Sequence, residues 1–179
     1  RFGTFEVFFY RGQYDRTKQL ADYVIAEHFP DLTEAADKYP RFLSEVVRRT
    51  ARLIAEWQAV GFAHGVMNTD NMSVLGVTID YGPFGFLDEY DPQFICNHSD
   101  TYGRYAFDRQ PGIGLWNLTC LAQALLPLME KDEAVAALEN YEQVLDARYG
   151  ELMRAKLGLR EEREGDAALL GVLLRLMQE

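Results

Sequence analysis

A mainly α-helical single domain carrying one short β-hairpin is the fold class this sequence predicts, on three observations. Apolar residues recur at helical spacing through much of the chain, most clearly over residues 41–60. Two short β-prone runs meet at Gly76. Of the 179 residues, 48% are hydrophobic and 26% charged, the balance of a cored domain and not of a disordered or fibrous chain. The length suits one domain, since ~150 residues can bury roughly 70% of their unfolded surface.

The chain opens on Arg1-Phe2-Gly3-Thr4-Phe5, an apolar stretch, and stops soon after Leu169, Leu170, Leu173, Leu174 and Met177. Both ends read as cut through folded structure, so the chain is expected to be a piece of something larger. Helices are expected across residues 2–62. Leu20, Val24 and Ile25 set the pattern over 15–28, which ends near Pro30. Leu43, Val46, Val47, Ile54, Trp57 and Val60 form one stripe of the next helix, and Arg48, Arg49, Arg52 and Glu56 a solvated face. Gly61 stops that helix. Residues 63–82 hold a loop and the hairpin, from Met72-Ser73-Val74-Leu75 and Val77-Thr78-Ile79. Residues 83–111, rich in Gly, Pro, Asp and aromatics, read as a long ordered loop, a type that is commonly functional. Tyr81, Phe84, Phe86, Tyr90 and Phe94 are expected to anchor that loop to the core. Helical spacing returns over 112–179, in segments near 113–127, 131–149, 149–157 and 165–178.

With 28 acidic and 18 basic residues the net charge is −10. The resulting field repels phosphates, which argues against a nucleic-acid or anionic-membrane partner. A basic cleft inside an acidic shell could still hold a nucleotide. No apolar run approaches the ~18 residues of a membrane span, and no signal segment opens the chain. Cys96 and Cys120 make no disulfide framework and fit a reducing compartment; the location expected is the cytoplasm if the parent is bacterial and the mitochondrion if it is eukaryotic. Cys96 reads as a buried thiol, with a redox switch as the sharper alternative.

The informative stretch is 64–82. His64 is followed seven positions later by Asn71, and Asp80-Tyr81-Gly82 comes after the expected hairpin. Protein-kinase-like enzymes space a catalytic loop H-R-D-x-x-x-x-N and a later D-F-G in this way. The fold expected is therefore the C-terminal lobe of a protein-kinase-like fold, with its N-terminal lobe absent. Mg²⁺ takes hard oxygen ligands and keeps one or two from protein beside substrate phosphates. The amide of Asn71 and the carboxylate of Asp80 can supply two, while Gly82 lets the chain turn beside the nucleotide. Val66 stands where the kinase base belongs and accepts no proton. Asp70 is the nearby carboxylate, and His64 reads as structural. Singly, Asp-x-Gly is turn chemistry and Asp70-Asn71 can cap a turn; the joint spacing lifts the set.

His64-Gly65-Val66-Met67-Asn68-Thr69-Asp70-Asn71-Met72-Ser73, followed by Thr78-Ile79-Asp80-Tyr81-Gly82-Pro83-Phe84-Gly85-Phe86, closely resembles the selenoprotein O family of protein adenylyltransferases with a pseudokinase fold. Arg1-Phe2-Gly3-Thr4-Phe5-Glu6, Asn97-His98-Ser99-Asp100, Gln110-Pro111 and Trp116-Asn117-Leu118 extend the likeness along most of the chain. The resemblance implies flipped ATP and transfer of AMP to Ser, Thr or Tyr hydroxyls of protein substrates. It implies that Asp70 accepts the proton, that Asn71 and Asp80 bind Mg²⁺ (or Mn²⁺), and that Asp80 also lies near the nucleotide. Arg1 matches an arginine on the ATP phosphates. The family's N-terminal lobe, with its nucleotide loop and β-strand lysine, would lie upstream of Arg1. The chain alone is therefore expected to bind ATP weakly and not to catalyse. The alternatives are a phosphotransferase using Asp70 as base, or a nucleotide-binding pseudoenzyme serving as a scaffold.

Overall fold

The computed structural model describes residues 1–178 as six α-helices joined by turns and one long irregular segment. They are α1 (Phe2–Tyr10), α2 (Tyr14–His28), α3 (Lys38–Val60), α4 (Gln110–Leu125), α5 (Lys131–Lys156) and α6 (Asp166–Leu176). Single 3₁₀ turns occur at Pro30–Leu32, Thr69–Asn71, Phe107–Arg109 and Leu126–Leu128.

The central helix is α3. Its stripe of Phe42, Leu43, Val46, Val47, Ala51, Ile54 and Ala55 is fully enclosed, and each such large side chain contributes roughly 1.5–3 kcal/mol by leaving water. Helix α5 lies along α3 in the most extensive helix pairing, while α4 packs on α3 and on α1. Arg148 of α5 ties the pair at the surface, reaching Glu56 of α3 at 2.8 Å and Glu151 at 2.9 Å. A capping box formed by Glu130 and Glu133 starts α5, satisfying amides the helix itself leaves free. Where α3, α4 and α5 meet, the Tyr141 hydroxyl donates to the Pro111 carbonyl at 2.8 Å. A side chain at Gly114 would collide with the end of Ile54 and meet the Tyr141 hydroxyl at 2.6 Å. Any larger residue there would force Ile54 and Tyr141 to shift.

Several expectations hold. Helix α3 ends at Gly61, whose φ of 68° is the left-handed conformation glycine adopts freely. Residues 83–106 form no regular element. Others need correction. The expected fold class, a kinase-like C-terminal lobe with a short β-hairpin, is overturned in its β part: the described residues contain no strand and no sheet. Met72 and Thr78 form one isolated antiparallel bridge, and Phe62 and Phe86 another. The reason is local. The Ser73 hydroxyl accepts from the Leu75 amide at 3.1 Å, and the Gly76 amide donates to the Ser73 carbonyl at 3.2 Å. Residues 73–76 thus close a turn at once, leaving no length for a ladder. Helix α4 starts at Gln110, three residues before the expected point, because Pro111 fits a first helical turn. Helix α5 runs unbroken through Gly150, where two segments were expected. Its packing on α3 outweighs the ~1 kcal/mol that a mid-helix glycine costs.

Candidate functional site

The segment after α3 is held by backbone pairing with a stretch some twenty residues later. The Ala63 amide donates to Gly85 at 2.7 Å, the Leu87 amide to Gly61 at 2.8 Å, and the Gly82 amide to His64 at 2.8 Å. Cys96 is buried between these two runs, its thiol donating to the Ala63 carbonyl at 3.3 Å, and burial raises its pKa. It behaves as the buried thiol the sequence suggests.

His64 lies at the centre of this pairing and is fully buried. Its Nε2 sits 2.9 Å from the Ile79 carbonyl. A carbonyl only accepts, so the ring carries its proton on Nε2, leaving the buried Nδ1 without a partner. Burial lowers the His64 pKa below its ordinary 6.5, against the opposing pull of the Ile79 carbonyl. The ring is neutral and structural, as its sequence context suggests.

Asp80 follows Ile79 in a left-handed backbone, φ 50°. Among non-glycine residues this conformation is uncommon, and Asp is one of the few that adopt it. Its turn is made by Asp80 itself and not, as expected, by Gly82. The Asp80 carboxylate meets the Arg1 guanidinium at 2.5 Å, both side chains half exposed. The same Arg1 nitrogen donates to the Asp70 carbonyl at 3.2 Å. Arg1 therefore joins the two acidic positions that the sequence singles out. Asp70 stands in the 3₁₀ turn Thr69–Asn71, its amide donating to the Asn68 side chain at 3.1 Å. Its carboxylate lies against Gly3 in the first turn of α1, where any β-carbon would overlap it. The Phe2 amide donates to the Met72 carbonyl at 3.0 Å, closing α1 onto this turn.

Asn71 shares that turn. Its amide nitrogen donates to the Val66 carbonyl at 2.9 Å, which fixes the side chain and leaves its oxygen to accept. No hydrogen bond joins Asn71 to Asp80 among the described residues. The amide oxygen of Asn71 and the half-exposed carboxylate of Asp80 are oxygen donors of the kind a hard divalent cation takes. No group of three His, Cys, Asp or Glu side chains placed to hold a metal occurs among the described residues. An all-protein cage of those ligands is thus not what the site offers.

The family model described as Protein adenylyltransferase SelO matches residues 1–179. The chain belongs to that family. Among its curated relatives, Protein nucleotidyltransferase YdiU of Myxococcus xanthus is 63% identical over 179 residues, covering 100% of this chain and 37% of that protein. The Vibrio cholerae protein of the same name is 59% identical over 177 residues, 99% of this chain and 36% of its own length. That of Thiobacillus denitrificans is 62% identical over 159 residues, 89% and 33% respectively. The chain thus spans about a third of the length of these relatives.

In this member of the SelO family, sequence reasoning passes over three structural supports of the site. Gly3 gives Asp70 its room. Gln110 and Asn117, both fully buried on α4, bind the backbone of the 62–67 segment. Their signal is a pair of amide side chains among the apolar residues of one helix, Gly114, Leu118 and Leu121. The aromatics divide. Tyr90 and Phe94 anchor the loop against Ala63, Cys96 and Phe107, whereas Tyr81, Phe84 and Phe86 stay largely exposed. Asp100 orients the loop by accepting the Arg104 and Tyr105 amides at 2.9 and 2.7 Å.

Proposed function

We propose that residues 1–179 are part of an ATP-dependent protein adenylyltransferase that moves AMP from ATP to Ser, Thr or Tyr hydroxyls of protein substrates. The observation that carries the reading is the convergence of Arg1, Asp70 and Asp80 at one point beside α1, in a chain that belongs to a family of that description.

Each residue has a role its chemistry suits. Asp70 accepts the proton of the attacking hydroxyl as its oxygen bonds to the α-phosphorus. The bond to the β-phosphate oxygen breaks, and pyrophosphate leaves. Asn71 and Asp80 hold Mg²⁺, or Mn²⁺ in its place. When bound, the metal supplies positive charge for the phosphate oxygens as charge develops on them. Arg1, a planar fork of donors, suits the phosphates of ATP. Val66, in the place of a kinase base, is no defect here, since attack at the α-phosphorus uses Asp70 instead. The two cysteines, neither in a disulfide, suit a reducing compartment, the cytoplasm in a bacterium. The net charge of −10 disfavours nucleic acid as a partner.

The test is label transfer by the full-length protein. Label from α-phosphate-labelled ATP is expected on protein, with none from the γ-position, and Asp70→Ala should lower the rate by about 10²–10⁴-fold. Transfer of γ-label would establish a phosphotransferase instead. A cellular effect unchanged by Asp70→Ala and Asp80→Ala would establish a scaffold.

A further inference from the structure

The position of Asp80 is set from two sides by one residue. His64 holds the carbonyl just before Asp80 through its ring, Nε2 to Ile79 at 2.9 Å. It holds the amide two residues after Asp80 through its own carbonyl, which accepts from Gly82 at 2.8 Å. Between these two bonds the chain takes the left-handed turn at Asp80. Such a conformation costs free energy and persists only where its surroundings impose it.

His64 is itself gripped by a single side chain. The carboxamide of Gln110 accepts from the His64 amide at 2.7 Å and donates to the Phe62 carbonyl at 2.9 Å. Both of its polar ends are used, Gln110 is fully buried, and it sits at the start of α4, packed into the molecule by the Tyr141–Pro111 bond. No hydroxyl, carboxylate or apolar side chain offers a donor and an acceptor side by side in this way.

We infer that Gln110, acting through His64, is the positioning residue that presents Asp80 to the nucleotide-bound metal. This rests on the metal-ligand role of Asp80 proposed above. Outer partners that orient a metal ligand typically govern affinity by 10- to 100-fold.

The experiment measures Mn²⁺ affinity by electron paramagnetic resonance in the full-length protein, with a non-hydrolysable ATP analogue present. Thermal unfolding is followed in parallel. Gln110→Met removes both amide bonds at nearly constant volume; His64→Phe removes only the ring bond to Ile79. Each is expected to weaken Mn²⁺ binding by about 10- to 100-fold at temperatures where the variant is fully folded. The double variant should lose no more than the worse single one, because the two residues act in series. A purely structural Gln110 would lower the melting temperature and leave the Mn²⁺ affinity of the folded protein unchanged. That result overturns the inference. Should Gln110→Met fail to fold, His64→Phe decides alone, and unchanged affinity there overturns it equally. Asp80→Ala separates the two claims. If Asp80→Ala abolishes Mn²⁺ binding while Gln110→Met and His64→Phe leave it intact, only the positioning role falls. If Asp80→Ala leaves binding intact, the metal-ligand reading and this inference fall together.

Discussion

At Asp70 and Asp80 the side chains are short, and their placement depends on what surrounds them. Gly3 is the clearest case. Its missing side chain is the space that the Asp70 carboxylate occupies, so Gly3→Ala must push Asp70 aside. A shift of about 1 Å in a reacting group costs on the order of 10²-fold in rate. That loss is expected in label transfer by the full-length protein, with the ATP KM changing less. His64 gives a prediction in pH. Its folded pKa lies below the ordinary 6.5 because burial disfavours the charged ring. Below about 6.5 the unfolded chain therefore takes up a proton that the folded chain refuses. The contribution is intact above that pH and is lost as pH falls, by at most about 1.4 kcal/mol per pH unit. Urea midpoints at pH 7.5 and 5.5 measure it, and His64→Phe should remove this part of the dependence. No pattern of spacing could have revealed Gly3 or the His64–Ile79 bond, since both are contacts between distant segments.

Among the elements, the helices were legible because their apolar faces repeat at the helical period over many turns. Of the expected stripe, Leu43, Val46, Val47, Ile54 and Trp57 are buried as that period requires, whereas Val60, the last residue of α3, is exposed. The hairpin was misread because Val74, Val77 and Ile79 carry β propensity, whereas Ser73 and Gly76 impose a turn between them. Propensity summed over these three residues is outweighed by two specific hydrogen bonds. Helix junctions yield two further expectations. Tyr141→Phe removes the hydroxyl's bond to the Pro111 carbonyl and should cost about 0.5–1.5 kcal/mol by chemical denaturation. Asp22 of α2 faces Lys18, Lys38 and Tyr39. Partial burial works to raise its pKa, but these three partners together hold it at about 2. Hydrogen bonds from Arg48, then Arg49, hold Glu45 of α3 at about 2 as well. Their stabilisation is present above the ordinary carboxylate range and is lost between roughly pH 4.5 and 2. Lys38→Ala should flatten an acid-unfolding curve in that window.

For the whole molecule, the 64–82 stretch was legible as a motif, and its family likeness is borne out along the entire chain. Its support was not, because Gln110 and Asn117 look in sequence like any amide on a helix. The chain matches about a third of its relatives' length, and Arg1 is the cation it sets beside Asp80. An ATP tail carries several negative charges, and one half-exposed guanidinium contributes little against them in water. The 179-residue chain alone is thus expected to bind ATP weakly and to transfer no α-label, and the proposed AMP transfer is expected of the full-length protein only.

The ion pair between Arg1 and Asp80 also bears on the sequence of loading. A guanidinium sits on the carboxylate, so under the metal-ligand role proposed for Asp80 a free divalent ion must displace it to gain a foothold. Triphosphate offers Arg1 a better-matched companion and vacates the acid as it arrives. In a calorimetric titration of the full-length protein, Mg²⁺ supplied without ATP should then bind more weakly than Mg²⁺ supplied with it.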